Sequence, residues 1–143
     1  MRVNQYKKSE HNILRGQPIE PEEIESLRTI VGWDKMKGKY AQILPKLYTH
    51  YSVHIANQLV GFLGVLSDGV GDAFLLDLMV HPNHRRNGIG TTLVKQAIRD
   101  MKSEGIKCVQ VTFNPELESF FRKFGFHIFK AGIIDNDTME ITF

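Results

Sequence analysis

Residues 81–94 read HPNHRRNGIGTTLV: a proline, a run of cationic and amide side chains and two glycines, set directly before an apolar helical pattern. That combination suits an anion. The first turn of a helix leaves backbone N–H groups without internal partners, and the helix dipole adds about half a positive charge there. Gly88 and Gly90 let the main chain curl and let a phosphate approach the amides closely. Arg85 and Arg86 can add charge-assisted bonds to phosphate oxygens. The spacing is not the dinucleotide fingerprint, since G-x-G-x-x-G is absent, nor the Walker loop, since no G-K-[ST] follows. A diphosphate held mainly by main-chain amides fits better. On residue types alone, a solvated turn rimmed by arginines stands as an equal alternative.

The elements that would position this stretch can be read from period and punctuation. IEPEEIESLRTIVGW predicts a first helix, with Pro21 in its first turn and Ile24, Leu27, Ile30 and Val31 on one face. A second helix is expected over roughly 35–44, ending near Pro45. YSVHIA and QLVGFLGVLSDG then read as two strands joined by a turn around Asn57, with Asp68-Gly69 marking the next turn. AFLLDLMVHP is apolar on both faces except at Asp77, so it is expected to be a central strand, stopped by Pro82. From Gly90, Leu93, Ala97, Ile98 and Met101 repeat at helical spacing, and Gly105 suits the C-terminal cap. IKCVQVTF is another strand, and NPELESFFRKFGF a short helix opened by Asn114 and Pro115. The tail is expected to form two closing strands about an Asp135–Asp137 turn. This is an α/β mixture without the regular alternation of a doubly wound sheet.

Composition narrows the classes of function. The 143 residues, 42% hydrophobic and 24% charged, fit one soluble domain over 1–143. No apolar run approaches the roughly 20 residues of a membrane span, and the first residues lack an apolar signal region. One cysteine, Cys108, and no Cys/His set at zinc spacing predict neither disulfide nor metal, and a cytoplasmic location is expected. A net charge of +2 is too small for a general nucleic-acid binder.

LMVHPNHRRNGIGTTLV resembles the cofactor motif of the GCN5-related N-acetyltransferase (GNAT) family, V-x-P-x-x-R-x-x-G-x-G-x-x-L, with Arg85, Gly88 and Gly90 at the defining positions. VTFNPELESFFRKFGF resembles the second family motif, and VGW and VGFLGVLSDGV resemble small bacterial members. The element order is the family's as well. The resemblance implies a mixed sheet of about six to seven strands flanked by helices, with two parallel strands, 74–81 and 107–113, splayed apart at the cofactor site. It implies acetyl-CoA as co-substrate, its pyrophosphate on the amides of Arg85, Arg86, Asn87, Gly88, Ile89, Gly90 and Thr91. The pantetheine arm would pair with backbone groups of Leu78, Met79 and Val80, where a main-chain N–H, that of Met79, would polarise the thioester carbonyl. Asn114 matches a position whose side chain commonly reaches the cofactor.

The implied reaction is direct transfer of acetyl to a primary amine of a small molecule or peptide. Asp77 is the candidate base, a carboxylate beside the expected thioester in an apolar strand. Its structural alternative is a carboxylate that caps amides or pairs with an arginine. Phe121 stands where the family usually has the tyrosine that protonates the departing thiolate. It keeps the packing, can line the pantetheine channel, and cannot donate a proton. The acceptor site is expected from residues 21–44 and the turns after the third and sixth strands. Trp33 and Tyr40 could wall it, and Glu22, Glu23 and Glu25 could attract a cation, with core packing and solvated first-turn acids as the plainer accounts. No role is assigned to His54, His81 or His84. Two rivals follow: a non-catalytic acyl-CoA-binding module, supported by Phe121, and a nucleic-acid binder using Arg85, Arg86 and Lys95, disfavoured by the charge. Exposed C-terminal edge strands would allow a homodimer.

Overall fold

The computed structural model describes residues 11–138. The chain divides after Val111 into two compact units. The first holds β1 (Leu14–Arg15), α1 (Pro21–Ile30), α2 (Tyr40–Ile43), β2 (Thr49–Ile55), β3 (Gln58–Ser67), β4 (Asp72–Val80), α3 (Ile89–Ser103) and β5 (Cys108–Val111). The second holds α4 (Glu118–Arg122), preceded by a 3-10 turn at Pro115–Leu117. The sheet order is β1-β2-β3-β4-β5, antiparallel except for the parallel β4–β5 pair.

The punctuation residues do what their chemistry allows. Pro21 opens α1, and the Glu20 N–H donates to the Glu23 carboxylate at 3.2 Å. Ala56 and Asn57, both at positive φ, make the two-residue turn of the β2–β3 hairpin. Gly105, at φ 79, closes α3: its N–H bonds to Lys102 O at 3.1 Å and that of Ile106 to Met101 O at 3.0 Å, the Schellman pattern.

Successive β3 residues face opposite layers. Phe62 belongs to a core with Ile19, Ile24, Leu27, Tyr40, Leu59 and Met79, under α1 and α2. Gly61 faces α3, whose Leu93, Val94, Ala97 and Met101 are buried. A β-carbon at Gly61 would lie 2.8 Å from Ile89 Cγ2 and 3.2 Å from Leu93 Cδ1, so the missing side chain is what lets the first turn of α3 reach the sheet.

Several expectations are corrected. The second helix covers only 40–43 and runs into a 3-10 turn at Leu44–Lys46; Met36 and Gly38, both at positive φ, keep 35–39 irregular. Ile30 is exposed rather than on the core face. Among the described residues five strands form where six to seven were expected, and 127–138 carries none, because apolar residues make a strand only where a neighbour pairs their backbone. The Asp135–Asp137 turn is present, with the Asp137 N–H on Asp135 Oδ1 at 2.9 Å, while 139–143 lie outside the described residues. The parallel strands are 72–80 and 108–111, not 74–81 and 107–113.

Candidate functional site

β4 is the spine of the site. Its pairing with β5 runs from Asp72↔Cys108 to Leu75↔Val111 and no further, so the edge of residues 76–80 on that side is open within this unit. On the other side β4 pairs with β3, Phe62 opposite Met79 and Gly64 opposite Leu76, which leaves Asp77 and Leu78 together opposite Leu63. This is a bulge, and Asp77 holds φ 55 within it. The His81 N–H bonds to Val60 O at 2.7 Å. Alternation along the strand then turns the Met79 N–H toward Phe62 and leaves those of Leu78 and Val80 on the open edge. On this register the Met79 amide, expected at the open edge, faces Phe62 instead. A one-residue bulge shifts which amides face outward, and no side-chain pattern announces it.

At the end of β4 the chain turns through Pro82–His84 into α3. Arg86 at φ 66 and Gly88 at φ 79 are both left-handed, and Gly88 is the N-cap of α3 with no side-chain cap. The first helical bond runs from the Thr92 N–H to Gly88 O at 2.9 Å. None of the amides of Arg86, Asn87, Gly88, Ile89, Gly90 and Thr91 is bonded to an acceptor among the described residues. A helix end normally finds acceptors for these groups in a side chain or solvent. Successive free amides at the positive end of a helix dipole can receive an anion.

Arg85 is anchored within its own loop. Its N–H bonds back to Pro82 O at 3.4 Å and its Nε donates to Val80 O at 3.3 Å, so the side chain ties the loop to the strand end. His11 Nε2 meets Asn87 O at 2.7 Å from outside the loop. His81 is nearly buried and accepts the Asn83 N–H on Nδ1 at 3.1 Å, a structural cap on the turn.

Asp77 lies beneath α1 and α2 with both carboxylate oxygens engaged. Oδ1 is 3.4 Å from Arg28 Nη1, and Oδ2 accepts a hydrogen bond from the Tyr40 hydroxyl. Burial first, and the Asp77 carboxylate second, push the Tyr40 phenol well above its ordinary value of 10.0. Arg28 is nearly buried, donates Nε to Asp34 O at 2.6 Å, and sets its guanidinium 5.3 Å from the centre of the Trp33 ring. Sequence reasoning missed Arg28 as a site residue. The signal was available: it stands four residues after Ile24 and next to Leu27, on the face that α1 buries.

The acids of α1 do not gather at Asp77. Glu25 is buried and accepts the Gly38 N–H at 2.9 Å. Glu22 and Glu23 line a separate open groove with Ser26, Ile30, Asn57 and Gln58, and His54 pairs with Glu23 at 3.5 Å. In the second unit, Asn114 is exposed and opens the 3-10 turn, its carbonyl accepting the Leu117 N–H at 2.9 Å. Phe121 is buried in an aromatic cluster, stacked on Phe113 at 4.6 Å and edge-on to Phe120 and Phe126. No three metal-binding side chains converge among the described residues.

A model of the Acetyltransferase (GNAT) family matches residues 10–126. Over 112 residues the chain is 31% identical to the uncharacterised N-acetyltransferase ycf52 of Porphyra purpurea, a match covering 73% of this chain and 63% of that relative. The chain thus spans less than two thirds of the length of this relative. Its fold is similar to a GNAT-family acetyltransferase of Streptococcus pneumoniae TIGR4, with TM-score 0.75, 26% identity, and 90% and 98% of the two chains covered. AAC(6')-Iy in complex with the bisubstrate analogue CoA-S-monomethyl-acetylneamine shares the fold, with TM-score 0.67, 16% identity, and 90% and 98% covered.

Proposed function

The chain belongs to the GNAT acetyltransferase family, and from that premise we propose that it moves the acetyl group of acetyl-CoA directly to a primary amine of a small molecule or peptide. The observation that carries this reading is the run of amides from Arg86 to Thr91, without acceptors among the described residues, at the end of a strand edge that is open within its own unit. Gly88 to Thr91 are the donors that any helix start leaves free; the small residues Gly88 and Gly90 among them let a phosphate come close, which favours a diphosphate over a solvated turn. Relatives named N-acetyltransferases support the reaction class. A family match running from 10 to 126 supports reading those residues as one domain.

Each part of the first unit then has a task. The amides of Arg86 to Thr91 would hold the pyrophosphate, and the open edge of Leu78 to Val80 would pair with the pantetheine amides as an added strand. When bound, acetyl-CoA supplies an acetyl group activated as a thioester. An N–H of Leu78 or Val80 would draw charge from the acyl oxygen as the bond to nitrogen forms. An alkylamine of pKa about 10.4 arrives as ammonium and must first lose a proton to solvent. The departing thiol, with pKa about 8.5 by analogy with cysteine, can leave as thiolate. Phe121 has no hydroxyl to protonate it, so solvent takes that part. By the family resemblance, Asn114 would contribute to cofactor binding.

The phenylalanine at 121, where the resemblance implies a tyrosine, favours a second reading, an acyl-CoA-binding module without turnover. Incubation with acetyl-CoA and a panel of alkyl, aromatic and peptide amines, followed by mass spectrometry, separates the two. Acetylated product from any class supports the transferase. Tight CoA binding with no product from every class supports the module.

A further inference from the structure

Asp77 is the only strand residue with positive φ among the described residues, and it sits where β4 gains its extra residue. We propose that Arg28 and Tyr40 are positioning residues: through the Asp77 carboxylate they pin the β4 bulge and so aim the Leu78 and Val80 amides at the thioester, with Asp77 acting as the pin rather than as proton acceptor. The assignment rests on the donor site argued above.

Geometry supports the pin on three counts. A left-handed residue in a strand is held only where its surroundings over-determine it, and here each carboxylate oxygen has its own donor. Those donors are themselves fixed. Arg28 is held by Asp34 O and lies 5.3 Å from Trp33 and 5.8 Å from Tyr40. Tyr40 is fully buried and packs edge-on against Phe62, the residue paired with Met79 just beyond the bulge. Through that ring the hydroxyl and the strand register are set by one side chain. Finally, a proton arriving on either oxygen would face a group that is already donating, a guanidinium or a phenol, and would break that contact.

The Asp77 side chain is 27% exposed, so an amine can reach it, and the test must separate holding from proton transfer. Asn keeps one acceptor for Arg28, turns the other contact round so that its Nδ2 donates to the Tyr40 hydroxyl oxygen, and tolerates φ near 55; Y40F keeps the packed ring and removes only the hydroxyl. For a pin, Y40F and R28K lower kcat about tenfold to a hundredfold, as misplacement does. Asp77→Asn then falls by less than tenfold, and its pH profile keeps its shape. Amide hydrogen exchange at residues 76–80 should quicken in Y40F relative to the wild type. A base behaves in the opposite way: D77N loses roughly 10²–10⁴-fold and the acid limb of its profile, while Y40F and R28K displace that limb and keep the plateau kcat. That result, or unchanged exchange at 76–80 in both Y40F and R28K, overturns the proposal. If the wild type acetylates no amine, the transferase reading fails, and the exchange data alone still decide whether the bulge is pinned.

Discussion

Gly61→Ala tests the link between the sheet and the amide cradle. The added β-carbon meets Ile89 Cγ2 at 2.8 Å and Leu93 Cδ1 at 3.2 Å. Ordinary carbon–carbon contact begins near 3.5 Å, so the first overlap is roughly 0.7 Å. Ile89 is the first residue of α3 and β-branched, with one preferred rotamer on a helix, so it cannot swing clear. The helix start must lift instead, and overpacking of this kind costs about 1–3 kcal/mol. The same displacement moves the amides of Gly88 to Thr91. Scaled from the hundredfold that misplacement by about 1 Å costs, it should weaken CoA binding about tenfold. Urea denaturation reads the first effect and calorimetric titration with CoA the second. Ile89→Ala removes the clashing methyl, so the double variant should be less destabilised than the sum of the singles, by about 0.5–3 kcal/mol. Loss of stability with unchanged CoA affinity would refute the reasoning, since it would show the cradle to be independent of how α3 seats on Gly61.

Three shorter predictions follow from other parts of the molecule. Gly88→Ala forces a side chain onto φ 79 and should cost about 1–2 kcal/mol while raising KM for acetyl-CoA, measured by steady-state kinetics and thermal melts. Phe121→Tyr restores the hydroxyl at the family's tyrosine position and should raise kcat; an unchanged value would mean that departure of the thiol is not the slow step. The Arg15 guanidinium, bonded to both Glu104 oxygens at 2.9 and 3.0 Å, holds that carboxyl below its ordinary 4.5. A depressed folded-state pKa stabilises fully above the unfolded value and fades as pH falls through the folded one. Wild type should therefore exceed Glu104→Gln in urea midpoint at neutral pH and converge with it below about 4.5, an effect that salt reduces.

Local chemistry was legible wherever one residue settles one backbone choice. Pro21, Asn57, Pro82 and Gly105 mark their boundaries because missing N–H groups and positive φ are properties of single residues. Gly88, the left-handed N-cap of α3, belongs to the same class. Expectations failed where a choice depended on a partner elsewhere in the chain. The tail had the composition of two strands and no neighbour to pair with among the described residues. Ile30 had the helical spacing for the core and lies exposed beside Asn57 and Gln58.

The site divides along the same line. From sequence alone came an anion cradle before α3, a strand carrying Asp77, and a missing hydroxyl at Phe121, because each is written in residue type and spacing. Only the tertiary structure decided what Asp77 faces, since Arg28 and Tyr40 come from distant segments that pack on β4. It also decided which amides face the open edge, because a single unpaired residue in the β3–β4 ladder reverses the alternation. Residue chemistry supplies the groups; the register and packing of the sheet determine where they point.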